Sequence, residues 1–378
     1  MTADMSSHNP NEAKAAVTTQ TTDQPVVCSH NEWDPLEEVI VGRVEGAAVP
    51  PWHPTLESCA PELSWELLRA LSGQPAPTIM VQAAQQQLDG FIAILEGEGI
   101  IVRRPDPLPQ TSSYSTPDWS SQAGYNIANP RDGLLVLGDE ILETPMAWRS
   151  RYFEVHAYRS LLQEYFRRGA RWTAAPKPRL CDSFYVADYT VPDKNEPLHY
   201  VITENEPTFD AADFTRCGRD LFATRSNVTN EFGLQWLQRH LGDRYTIHLI
   251  QTRSRQPVHI DTTFVPLAPG KALINPQYVD KSELPPILSS WDVREAPDPI
   301  SSRRSLFDLS SAWLSMNVLM LDPQRVIVEA AQEPLIRMLK DWGFETIPCP
   351  FEDHFLFGGA FHCATLDIRR RGTLQSYF

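Results

Sequence analysis

Apolar residues occur along this chain in two alternating patterns, one with helical spacing and one of short uninterrupted runs. Leu88, Phe91, Ile92 and Leu95 fall at i, i+3, i+4 and i+7, with Gly97 and Gly99 just beyond, which predicts a one-faced helix stopped by glycine. Leu335, Met338, Leu339 and Trp342 repeat that spacing between Pro334, suited to a first helical turn, and Gly343. Further helices are predicted over 148–168 and 231–241. The runs between them read as strands: 36–42, and hairpins in which Leu134–Leu137 turns at Gly138-Asp139, 264–267 at Pro269-Gly270 and 318–321 at Asp322-Pro323. A polar residue, an apolar strand, a tight turn and a second strand recur near 130, 209, 259 and 315, with parts of the unit near 34 and 361. Such repeats predict a radial or stacked architecture rather than two unrelated domains. Residues 1–28, poor in large apolar side chains, are expected to be a disordered tail ahead of a single domain over 29–378. The Pro-rich stretch 47–77 lacks periodicity and is expected to be a long loop or lid.

Composition narrows the function. Apolar residues make up 42% and charged residues 21% of the 378, as in ordinary globular proteins. The formal net charge of −15 argues against nucleic acid and anionic lipid as partners. No apolar stretch approaches a membrane span and no signal peptide is visible, so the cytosol is the expected location. The 6 cysteines are too few and too scattered for a disulfide framework. Cys349, His354, His362 and Cys363 fit no familiar zinc spacing, and a metal site is rejected.

Cys363 follows the glycine pair Gly358-Gly359 and precedes Arg369-Arg370-Arg371, a setting expected to lower a thiol's pKa. The alternation from Phe361 to Ile368 predicts a strand with Cys363 at its start and His362 on the opposite face, so a base must come from elsewhere. Strand alternation likewise puts His259 and Asp261 on one face. Asp210 and Asp213 lie among apolar residues, where a carboxylate needs a partner, and Asp132 sits in the turn before an apolar strand. Each cluster alone is more readily structural than functional. Together, one thiol, one histidine and several carboxylates suit attack on a planar cation such as guanidinium, which carboxylates bind bidentately. No P-loop, GxGxxG, HExxH or GxSxG motif competes.

The chain resembles the glycine amidinotransferase family, the arginine-dependent branch of the guanidino-group modifying enzymes. The resemblance runs from His30-Asn31-Glu32-Trp33-Asp34-Pro35-Leu36 through Pro130-Arg131-Asp132, the 145–151 and 175–178 motifs, 209–214, His259-Ile260-Asp261 and 313–318 to Gly359-Ala360-Phe361-His362-Cys363. It implies the pentein fold, a five-bladed α/β-propeller of pseudo-fivefold ββαβ modules, and chemistry without a metal or organic cofactor. It also implies that Cys363 attacks the guanidinium carbon of L-arginine, His259 protonates departing ornithine and later deprotonates an amine acceptor, Asp210 orients His259, and Asp132 and Asp261 hold the guanidinium. A homodimer is expected by the same likeness.

Departures bear on the substrate positions Gln256, Val258 and Tyr278, whereas Ser310 and Ser311 are retained. Where creatine-pathway members carry Asn-Pro-Met before the histidine, this chain has Gln256-Pro257-Val258. Where they carry Asn-Pro-Asp-Arg, it has Asn275-Pro276-Gln277-Tyr278 and so lacks the arginine that helps hold an amino-acid carboxylate. Ser310 and Ser311 are expected to contact the donor. The wording is most similar to amidinotransferases of cyanobacterial toxin pathways, and the roomier pocket favours a larger amino ketone of a saxitoxin-type pathway as acceptor. The alternatives are glycine, as in a cylindrospermopsin-type or creatine pathway, and a deiminase-type hydrolase in which water resolves the same intermediate.

Overall fold

A computed structural model describes residues 25–300 and 311–378. Five three-stranded sheets share one pattern, an antiparallel pair whose second strand takes a parallel third strand after a connection. Leu134–Leu137 pairs antiparallel with Glu140–Glu143, and helix Arg159–Arg167 leads to the parallel strand Arg171–Ala174. Phe214–Cys217 and Asp220–Ala223 are followed by helix Glu231–Leu241 and strand Thr246–Leu249. Phe264–Ala268 and Lys271–Ile274 reach Asp292–Glu295 through 3-10 turns alone. Leu319–Met320 and Arg325–Glu329 reach Glu345–Cys349 through helix Glu333–Asp341. The remaining sheet joins the two ends of the chain. Leu36–Val41 pairs antiparallel with Thr365–Arg370 and, after helix Thr78–Gly97, parallel with Ile101–Arg103.

The sheets fall where the sequence repeats were placed, because the hairpin turns carry local signals. Gly218 shows why glycine is needed: its φ is +71°, and a Cβ there would lie 2.0 Å from the Gln375 carbonyl oxygen. First strands such as Leu134–Leu137 are buried throughout, whereas third strands such as Arg171–Ala174 are not. The core therefore lies on the hairpin side.

Several expectations change. Val27 and Cys28, inside the expected tail, are buried, and Cys28 is bonded on both sides to the last strand. The 47–77 stretch contains helices Pro54–Cys59 and Trp65–Ala70. Val49, Leu56, Ala60 and Leu68 form their own small core with Trp52 and Trp65, so short helices without a long period stand where a loop was expected. The 148–168 helix is two 3-10 turns followed by Arg159–Arg167.

A buried ion network joins two sheets. Arg216 binds Glu32 and Asp367, each at 2.6 Å, Arg370 binds Asp367 at 2.9 Å, and Arg131 lies 3.1 Å from Asp367. Arg369 and Arg371 pair with Glu37 and Glu38. The arginine cluster is thus consumed by carboxylates, and its expected action on the thiol does not follow.

Candidate active site

A cavity of about 520 Å³ brings together Asp132, His259, Asp261 and Cys363 with Gln256, Val258, Tyr278 and Ser311. Asp210 stands behind His259, and Ser310 lies outside the described residues.

Cys363 sits in a turn before Thr365–Arg370 rather than on that strand. The turn is packed tightly: a Cβ on Gly359 would lie 2.3 Å from Asn129 Oδ1 and 2.5 Å from the Cys363 Cβ. His362 is consequently not turned away from the thiol's surroundings. Its Nδ1 lies 3.7 Å from Asp261 Oδ2, and its Nε2 is 3.0 Å from Glu32. The thiol donates to Asp261 Oδ2 at 3.1 Å. Asn317 clamps this pair, its Nδ2 donating to Asp261 at 2.5 Å and to Cys363 Sγ at 3.0 Å. Asn317 Oδ1 accepts the backbone N–H groups of His362 at 2.8 Å and Cys363 at 3.3 Å. Burial, and after it the Asp261 carboxylate, pushes the thiol up to about 12. The unliganded cysteine is therefore a neutral thiol, contrary to the lowered value expected from the sequence.

His259 is not on a strand either. Its φ of 58° and ψ of 135° put it in a sparsely populated region for a residue with a Cβ, which costs about 1–3 kcal/mol. The following 3-10 turn Ile260–Thr262 carries Asp261. A kink, not alternation, brings the two side chains to one cavity. The imidazole Nε2 lies 3.1 Å from Asp210 Oδ2, an oxygen that also accepts the Trp148 indole N–H at 2.9 Å. Burial opposes charge on His259, but Asp132 and the Asp210 hydrogen bond outweigh it and raise the imidazole well above its ordinary value.

Asp132 lies 3.7 Å from His259 Nδ1 and accepts Arg151 Nη1 at 2.8 Å, while Arg151 binds Glu154 at 2.6 Å and 2.8 Å. Burial raises the Asp132 carboxyl. Burial works the same way on Asp261, but hydrogen bonding from His362 and the nearby His259 bring it below its ordinary value. The second oxygens of Asp132 and Asp261, both Oδ1, are buried without a hydrogen-bond partner. Such atoms are costly unless a donor meets them. The donor atoms of Asp132, His259 and Cys363 lie within 4.8 Å of one another. Carboxylate, imidazole and thiol thus surround a space suited to a small planar cation.

Above this floor the walls are largely apolar, with Leu56, Ala60 and Pro61 from the 47–77 stretch facing Trp148 and Val258. Gln256 ties the two walls by donating to the Ala60 carbonyl at 3.1 Å. Tyr278 stands where the family arginine was missed, its hydroxyl 3.3 Å from Ser311 Oγ. Sequence reasoning did not find Asn317, Glu32 or Arg151 as parts of the site. All three lay within quoted motifs, but a single neutral amide or an ion pair formed across the fold leaves no periodic signal.

The repeated ββαβ sheets are consistent with the pentein fold. A solved DDAH of Pseudomonas aeruginosa, 13% identical, superposes with a TM-score of 0.55 over 88% of this chain and 99% of its own, a likeness of fold alone. The fold is therefore of the pentein class. No protein-family profile matches the sequence. Individual relatives do: an L-arginine:L-lysine amidinotransferase of Pseudomonas savastanoi pv. phaseolicola is 53% identical over 351 residues, covering 93% of this chain and 96% of that protein. The mitochondrial glycine amidinotransferase of Danio rerio is 46% identical over 375 residues, 98% of this chain and 89% of that protein. A solved amidinotransferase of the saxitoxin biosynthetic pathway of Microseira wollei is 54% identical, with a TM-score of 0.90 over 93% of this chain and 99% of its own. The chain belongs to the amidinotransferase family.

Proposed function

We propose that this protein moves the amidino group of L-arginine to a primary amine through a covalent amidino group on Cys363. The observation that carries this reading is the convergence of Cys363, His259, Asp132 and Asp261 on one space with two buried, unpartnered carboxylate oxygens. A guanidinium seated against Asp132 and Asp261 offsets the negative charge that holds the proton on sulfur. The thiol proton is then released to solvent, and the thiolate attacks the guanidinium carbon. Imidazolium His259 gives its proton to the departing nitrogen as the carbon–nitrogen bond breaks, leaving ornithine, a cationic amidino-cysteine and a neutral imidazole. In the second half, the acceptor amine attacks the same carbon and His259 removes its proton. Breakage of the carbon–sulfur bond restores the thiolate. Asp210, with Trp148 behind it, orients the ring.

The acceptor in this reading is larger than glycine. Much of the cavity of about 520 Å³ is walled by apolar side chains from Leu56 to Val258, which glycine would leave unfilled. A long amino ketone, of the kind a saxitoxin-type pathway would supply, uses that wall, and the similarity to the saxitoxin-pathway amidinotransferase supports it. We also infer that the five modules close into a five-bladed propeller forming one domain, supported by the pairing of strand Leu36–Val41 with strand Thr365–Arg370 from the far end of the chain.

Arginine labelled at the guanidino carbon, supplied with glycine, lysine or longer amino ketones, tests the proposal. Label on an amine with unlabelled ornithine released is expected, fastest with the longer acceptors. Label in citrulline whatever the amine would instead make the protein a hydrolase, and Cys363→Ala should show no transfer.

A further inference from the structure

We propose that Arg255 holds the α-carboxylate of the arginine donor, taking over from the family arginine that Tyr278 replaces. This rests on reading the cavity as the amidino-transfer site.

Among the described residues, three cationic ones line that cavity: Arg151, Arg255 and His259. Arg151 is fully engaged by Glu154 and Asp132, and His259 lies between Asp132 and Asp210. Arg255 is different. Its Nε donates to the Pro192 carbonyl at 3.0 Å and its Nη2 to the Glu196 carbonyl at 2.7 Å and to the Asp193 carbonyl. These acceptors are neutral peptide oxygens, so they fix the orientation of the guanidinium without cancelling its charge. Among the described residues no carboxylate pairs with Arg255 within 4 Å, and its Nη1 has no hydrogen-bond partner. A guanidinium prepared on one edge and free on the other suits a carboxylate.

The position also suits the donor. Arg255 and His259 both line the cavity, four residues apart, at most about 14 Å of fully extended chain. The carboxylates Asp132 and Asp261 line the same cavity. L-arginine carries the opposite pair, a cationic guanidinium at one end and a carboxylate at the other. Tyr278, by contrast, offers only a hydroxyl already 3.3 Å from Ser311 Oγ.

The test compares L-arginine with agmatine, which has the same guanidinium arm without the carboxylate. Formation of the Cys363 adduct in the first half-reaction is followed by intact-protein mass spectrometry in the wild type, Arg255→Gln and Arg255→Lys. In Arg255→Gln the half-saturating arginine concentration is expected to rise roughly 10- to 100-fold, with the limiting rate nearly unchanged and agmatine unaffected. Arg255→Lys should fall between. Unchanged agmatine kinetics also show that the variant is folded. Equal weakening of both substrates, or of neither, would overturn the assignment while leaving the transfer reading intact. A wild type that forms no adduct with either substrate would overturn the transfer reading itself.

Discussion

Replacing Asn317 with leucine, close to it in size but unable to hydrogen-bond, removes the clamp on the thiol. The amide donates to Cys363 Sγ at 3.0 Å and to Asp261 at 2.5 Å, and its oxygen accepts two backbone N–H groups from residues 362 and 363. Once the thiol ionises, the bond to sulfur becomes charge-assisted and stabilises the thiolate by about 1.5–3 kcal/mol. At about 1.36 kcal/mol per pKa unit, its loss raises the thiol by roughly one to two units. The thiolate fraction at a fixed pH below the pKa then falls roughly 10- to 100-fold. The two stranded N–H groups cost stability as well, about 1–3 kcal/mol each if they stay buried. The assay is the pH dependence of Cys363 alkylation by iodoacetamide, run beside the rate of adduct formation from arginine and a urea unfolding curve. Alkylation and adduct formation within threefold of wild type, in a variant shown to be folded, would refute the clamp.

Because burial and Asp261 hold the free thiol near 12, alkylation and peroxide inactivation of the unliganded protein should be slow at pH 7. Both should accelerate about tenfold per pH unit toward the alkaline range, and rapid pH-independent loss would contradict a protonated resting thiol. Asp210→Asn removes a group that raises His259, so the alkaline limb of adduct formation, which requires imidazolium, should move to lower pH. An unmoved limb would sever Asp210 from the ring. In Gly359→Ala the added methyl meets Asn129 and Cys363 inside ordinary contact distance, so a destabilisation of about 1–3 kcal/mol and at least a tenfold slower adduct are expected. Wild-type melting and kinetics would show that the turn relaxes freely.

The fold was legible where local signals agreed. The apolar run at 36–41, the glycine-stopped helices and the hairpin turns each carry a complete instruction, and their repetition marked the five modules. The members of the cavity were legible as residue types: Cys363, His259, Asp132 and Asp261 do meet there, with Asp210 behind. Their placement was not legible, because alternation assumes strands. His259 occupies a positive-φ kink and Cys363 a tight turn, geometries imposed by packing against distant residues. The arginine cluster misled for a related reason. Its neutralising partners Glu37 and Glu38 lie more than three hundred residues away in sequence. The 47–77 stretch hid its helices because each is only about two turns long.

The pairing of Leu36–Val41 with Thr365–Arg370 has a consequence during synthesis. A chain emerging from the ribosome can complete its middle modules one by one, but the first strand, Leu36–Val41, must wait for its partner Thr365–Arg370, which is made only after all of them. Cys363 lies two residues before that partner strand begins, and its neighbours Asn317, Asp261 and Asp132 come from three earlier segments. Nascent chains, and chains truncated before this strand, therefore cannot assemble this cluster of side chains. Assembly of the cavity coincides with the pairing of these two strands, so an abandoned translation product lacks the assembled site.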